Sequence, residues 1–123
     1  MSYASVHLDM PPSSNRMWRK GKHGIHPSAE YDAWKTAAGQ EVMARRVQGL
    51  QFQEPVEVTI VAKQLHKLRD LDNIIKPCLD ALQFGQLLAN DNQVRCLFVR
   101  WSHGDDERVM QGREVRVEVR SMT

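Results

Sequence analysis

The sequence predicts an α+β fold: one small domain with the element order β-α-β-α-β-β, a mixed sheet and two helices packed on one of its faces. Three observations carry this. Four segments alternate apolar and polar residues with the period of a half-buried strand. Two others place apolar residues at helical spacing, and each stands between strands. No repeat, low-complexity run or linker divides the 123 residues, so a single domain spans 1–123.

In the first strand Ala4, Val6, Leu8 and Met10 share one face and Tyr3, Ser5, His7 and Asp9 the other, until Pro11-Pro12 ends it. "SSNRMWRKGKHGIHP" has no period and is rich in loop formers, so it reads as a long basic loop. Ser28 is placed to cap a helix with Glu30 in its first turn. Tyr31, Trp34, Ala38 and Val42 form its apolar stripe, and it is expected to run to about Val47, before Gly49. In the next strand Val56, Val58, Ile60 and Ala62 alternate with Glu57, Thr59, Val61 and Lys63.

The second helix spans Asp72 to about Phe84, with Ile74, Ile75, Cys78, Leu79 and Leu82 on one arc and Asp72, Lys76 and Asp80 on the adjacent polar arc. Pro77 lacks a backbone N–H, which a helix tolerates best in its first turn. The regular helix is therefore expected to begin near Asn73 or Ile74, capped by Asp72 or Asn73, and Gly85 suits its end. "VRCLFVRW" and "REVRVEVR" are the last strands, the second with Val115, Val117 and Val119 inward, and "SHGDDERVMQG" between them suggests a hairpin.

Composition is that of an ordinary globular domain, and a net charge of +2 does not by itself announce a nucleic-acid binder. Charge distribution says more: no acid falls between Met10 and Ala29, while Arg16, Arg19, Lys20 and Lys22 do. No apolar run approaches the roughly 18–20 residues that span a bilayer, and the first residues lack the charged and apolar regions of a secretory signal. Cys78 and Cys96 stand far apart in apolar surroundings, as reduced thiols of a cytoplasmic protein do.

The chemistry concentrates in "RDLDNIIKPCLDAL" and the later "ANDNQV". Were the chain still extended at Asp70 and Asp72, both carboxylates would point the same way. Joined by Asp91, they are hard oxygen donors of the kind Mg²⁺ or Mn²⁺ accepts, and such ions assist phosphodiester hydrolysis. Lys76, one helical turn from Asp72, is a candidate for a phosphate contact, aided by N–H groups at the helix start. The same residues also have ordinary readings: Asp72 as a cap, Asp72–Lys76 as an i,i+4 pair, Asp91 as a turn former. His23 and His26 have metal-like spacing but no companion acid or cysteine, and Asp105–Glu107 reads as a solvated turn.

"RDLDNIIKPCLDAL" followed by "NDNQV", with "PPSSNR" after the first strand and a helix starting near "HPSAE", resembles the RusA family of Holliday junction resolvases. The resemblance covers most of the chain. Some members have an acidic pair where this chain has Asn90-Asp91. It implies that Asp70, Asp72 and Asp91 bind a divalent metal, Mg²⁺ with Mn²⁺ as a substitute, that Lys76 is catalytic and that Asn73 supports them. It implies a homodimer that nicks two opposed strands of a four-way DNA junction by hydrolysis. Arg16, Arg19, Lys20 and Lys22 are then expected on backbone phosphates, with Arg69 a further candidate and Trp18 either stacked on a base or anchored in the core. The competing expectations are a junction-binding protein with little or no cleavage and an interaction module whose acids only cap helices.

Overall fold

The computed structural model describes residues 2–46, 49–67 and 69–122. Strand β1 (Tyr3–Leu8) leads through a short helix α1 (Ser14–Met17) into an antiparallel ribbon, β2 (Trp18–Gly21) and β3 (Gly24–Pro27). Helix α2 (Ala29–Ala44), β4 (Val56–Ala62), a 3₁₀ turn (Leu71–Ile74), α3 (Ile75–Phe84), a second 3₁₀ turn (Asp91–Gln93), β5 (Val94–Trp101), α4 (Asp106–Met110) and β6 (Val115–Ser121) complete the order. The long strands and the two long helices thus follow β-α-β-α-β-β within one α+β domain. The expected end of α2 at Val47 lies outside the described residues, and the helix stops at Ala44.

The main sheet is ordered β1-β6-β4-β5, with β4 and β5 parallel and the other pairs antiparallel. The expected hairpin between the last two strands does not form: β4 lies between them. Residues 102–114 are too many for a hairpin loop of roughly two to five residues. β4, α3 and β5 form a parallel crossover unit, so β5 occupies the edge. β6 inserts between β1 and β4, where its three inward valines are paired on both sides.

One face of the sheet meets both long helices. Val6, Leu8, Val56, Val58, Ile60, Val115, Val117 and Val119 pack with Ala38 and Val42 of α2 and Cys78, Ala81 and Leu82 of α3. At roughly 25 cal/mol per Å² of apolar surface, this burial is the main stabilising term. The helices cross where side chains vanish: a Cβ on Gly85 would lie 2.6 Å from the Gly39 carbonyl oxygen. On the opposite face α4 covers one end, with Met110 buried and the His7 ring nitrogen Nε2 2.7 Å from the Val109 carbonyl. Asp106 receives both Arg100 nitrogens (2.7 and 2.8 Å) and the His103 N–H (2.8 Å), so the acid run of this segment anchors a helix rather than a bare turn.

The basic stretch is the largest departure from the sequence reading. It is not an unstructured loop. Lys20 pairs with Ile25 and Gly21 with Gly24, so the charges ride on a two-stranded arm. Few of its side chains are buried, which is why no apolar period marked it. Its base is tied down by Ser28, which caps α2 by accepting from the Tyr31 N–H (3.0 Å) while its hydroxyl donates to the Arg16 carbonyl (2.6 Å).

Candidate active site

Asp70 stands just before the 3₁₀ turn with extended dihedrals, and the turn begins at Leu71. The extended geometry that would aim Asp70 and Asp72 the same way therefore does not continue to Asp72. Both carboxylates are exposed, and among the described residues neither makes a hydrogen bond or an ion pair. Neither caps a helix: Ile74 occupies the N-cap position of α3, with no side-chain bond. This corrects the expected cap at Asp72 or Asn73. The tighter turn also rotates Asp72 out of helical register with Lys76.

Lys76 pairs forward instead. Its ammonium donates to Asp80 Oδ1 at 2.9 Å and lies 3.9 Å from Asp91 Oδ2. The Asp80 hydrogen bond, more than the attraction of Asp80 and Asp91, holds its pKa above the ordinary lysine value against partial burial. The other Asp80 oxygen accepts from the buried Tyr31 hydroxyl at 2.6 Å. Burial first, then that hydrogen bond, raises the tyrosine pKa, so the phenol stays protonated and donating.

Asp91 opens the second 3₁₀ turn, and the cap there is Asn90, whose side chain accepts from the Asn92 N–H at 2.9 Å. Gln93 fixes this turn to the core. Its oxygen accepts from the Ala89 and Asn90 N–H groups (2.8 and 2.9 Å), and its amide donates to the Phe52 and Glu54 carbonyls (2.8 and 3.0 Å). Asp91 is thereby free of capping and turned towards Lys76.

These residues border an open cleft of about 500 Å³ lined by Lys35, Lys76, Asp80, Gln83, Phe84, Asn90 and Asp91. Lys35 hangs from α2 between the Tyr31 and Phe84 rings, 5.9 and 5.8 Å from their centres. The cleft gathers Lys76 with Asp91 but is not lined by Asp70 or Asp72. Among the described residues no three His, Cys, Asp or Glu side chains stand close enough to hold one ion. The donor chemistry nonetheless suits Mg²⁺, which uses one or two carboxylates and keeps water and phosphate oxygens for its other positions. His23 and His26 belong to no such group either. The helix start offers little to an anion, since the Ile75 N–H bonds the Asp72 carbonyl and Pro77 has none.

The remaining candidates divide. Lys20 and Lys22 project from the arm, exposed and without a partner among the described residues. Arg19 donates to the Asn15 and Trp18 carbonyls (3.4 and 3.1 Å), and Arg16 pairs with Glu30 at 3.2 Å on the surface. Trp18 is 43% exposed, with its ring centre 5.9 Å from that of Tyr31, so it is propped rather than buried. Arg69 is differently employed: it donates to the Pro11 and Pro12 carbonyls (2.6 and 3.2 Å) and straps the end of β1 to the segment bearing Asp70. Desolvation there lowers its pKa. Asn73 closes the first 3₁₀ turn through its N–H to the Asp70 carbonyl (3.3 Å).

A family model described as endodeoxyribonuclease RusA matches residues 9–120, and so takes in the arm, both 3₁₀ turns and the cleft. The chain belongs to the RusA family. Curated relatives agree: crossover junction endodeoxyribonuclease RusA of Escherichia coli (strain K12) is 30% identical over 95 residues, 76% of this chain and 78% of the relative. The proteins of the same name from Escherichia coli O1:K1 / APEC and Shigella sonnei (strain Ss046) match to the same extent. Within this RusA-family chain, sequence reasoning passed over Lys35 and Gln93 and placed Tyr31 on the apolar stripe of α2 alone. Asp80 was visible on the polar arc with Lys76, and only its partner on α2 was hidden.

Proposed function

We propose that this protein is a structure-selective endodeoxyribonuclease that resolves four-way DNA junctions by paired symmetric nicks, acting as a homodimer with Mg²⁺ or Mn²⁺. Its relatives are named for junction endonuclease activity. The observation that carries the reading is local: Asp70 and Asp72 stand exposed with no side-chain cap bond at the turn that leads into α3, and the Lys76 ammonium on α3 is set between two further carboxylates. Acids that served only helix ends would show cap bonds. Two copies of such a site suit a two-fold symmetric substrate.

Asp70, Asp72 and Asp91 are the candidate donors for the cation, one or two of them at a time with water and phosphate oxygens in its other positions. When bound, it neutralises phosphate charge and makes water a competent nucleophile. Lys76 meets a non-bridging oxygen of the scissile phosphate and offsets charge developing in the transition state. Asn73 keeps the turn between the two aspartates closed. The arm cations Arg16, Arg19, Lys20 and Lys22 hold the DNA backbone, which positions the duplex arms without reading their sequence.

The test uses a labelled synthetic four-way junction and a linear duplex of the same sequence, with Mg²⁺ or EDTA, for the natural chain and Asp72→Asn. Symmetric nicks on the junction alone, lost in EDTA and in the variant, are expected. Tight junction binding with no cleavage in either Mg²⁺ or Mn²⁺ would instead establish a junction-binding protein.

A further inference from the structure

The acid at the centre of the cleft, Asp80, is not one of the residues assigned to metal or phosphate. Its two oxygens are divided, one to Tyr31 Oη and one to Lys76 Nζ. The two partners are unlike. Tyr31 is 1% exposed, stacked on Trp34 with ring centres 6.1 Å apart, and cannot shift. The Lys76 side chain is 64% exposed on a long flexible stem. A rigid donor on one oxygen therefore fixes the carboxylate, and the carboxylate fixes the mobile ammonium.

A purely structural explanation is weak. The two long helices already meet through Ala38, Val42, Ala81 and Leu82 and through the close approach at Gly39 and Gly85. That packing needs no carboxylate. Nor does Asp80 serve a helix end, since it lies mid-helix in α3.

We propose that Asp80 is a positioning residue for the reaction: anchored by Tyr31 of α2, it holds the Lys76 ammonium beside Asp91, where the scissile phosphate arrives. The proposal rests on the reading of Lys76 as the phosphate-contacting cation. Asp80 touches neither DNA nor metal. It aims the group that does, and α2 thereby takes part in a site otherwise borne by α3 and the turn at Asp91.

Cleavage of a labelled four-way junction in Mg²⁺ tests this, with kcat and KM measured for Asp80→Asn, Tyr31→Phe, Lys76→Arg, Lys76→Met and the double variant Asp80→Asn/Lys76→Arg. Asp80→Asn is expected to lower kcat about 10- to 100-fold with KM within about twofold, and Tyr31→Phe about 3- to 10-fold in the same sense. In the Lys76→Arg background the Asp80 effect is expected to shrink below about twofold, because the two residues act as a unit. Thermal unfolding accompanies each variant. Should Asp80→Asn fail to fold, Tyr31→Phe carries the test, because its ring still fills the core. Natural kcat in Asp80→Asn or Tyr31→Phe alongside impaired Lys76→Arg overturns the proposal and leaves the role of Lys76 intact. So does an undiminished Asp80 effect in the double variant. Natural activity in Lys76→Arg and also in Lys76→Met refutes the role of Lys76 itself.

Discussion

The acidic corner and the basic arm are built in opposite ways. The corner grows from elements sunk in the core. α3 is held by Cys78, Ala81 and Leu82, none of them exposed, and the Asp91 turn by the four hydrogen bonds of Gln93. The arm is two strands of four residues each, almost wholly exposed, tied only at its base. A lone two-stranded ribbon is marginal in water. The contrast follows from what each must do. Chemistry needs groups held within about 0.5 Å, whereas attraction to phosphate falls slowly with distance and tolerates motion.

Removing the corner's anchor has the largest expected effect. Gln93→Ala leaves two carbonyls and two N–H groups without partners, and denaturant titration is expected to show a loss of about 2–4 kcal/mol. Cleavage falls with it as the Asp91 turn loosens. A loss under about 1 kcal/mol would mean that the turn is held by something other than Gln93.

The corner's rigidity also has a chemical signature. Burial pushes the Cys78 thiol up to about 12, while Cys96 on β5 is only half-buried. Iodoacetamide at pH 8 is expected to label Cys96 and to reach Cys78 about 100-fold more slowly, as mass spectrometry of digests would show. The sign of the linkage is fixed by the raised value. The unfolded chain releases this proton near 9.0 and the folded one near 12, so the contribution is complete below the first value and is lost as pH climbs through the second. Equal labelling of the two cysteines in the native protein would contradict a rigid α3.

Changing the arm is expected to alter binding alone. Lys20→Ala with Lys22→Ala should reduce the salt dependence of junction affinity by about two in the log–log slope, with the unfolding midpoint unchanged. Smallest is Gly24→Ala. The position has φ +110°, and a Cβ there meets no atom within 4 Å, so the change strains the ribbon tip without a clash. The local strain is about 1 kcal/mol, and the global melting temperature is expected to stay within about 1 °C. A larger drop would show that the arm unfolds together with the core.

How much of this could be read from the residues follows the same division. Strands β1, β4 and β6 announced themselves because one face of each is buried, so alternation was under strong constraint. The α2 cap at Ser28 was legible because capping is local. The arm was not, since a strand exposed on both sides has no pattern to show. The false hairpin arose because sequence adjacency says nothing about insertion of β6 between β1 and β4. At the site, residue types and spacing led to Asp70, Asp72, Lys76 and Asp91. The Tyr31–Asp80 bond spans two helices far apart in sequence, and Arg69 turned out to strap the fold through carbonyls that carry no side-chain signal.

The place of β6 has a consequence in time. Among the described residues β1 pairs with β6 alone, and β4 finds its second neighbour there. During synthesis the middle of the sheet therefore leaves the ribosome after everything it joins. Nascent chains arrested before Val115 are expected to be digested by protease as readily as unfolded ones, with protection appearing only once Ser121 has cleared the exit tunnel. A protein that cuts DNA is thus withheld from its substrate until β6 has emerged, by the order of its strands and with no inhibitor.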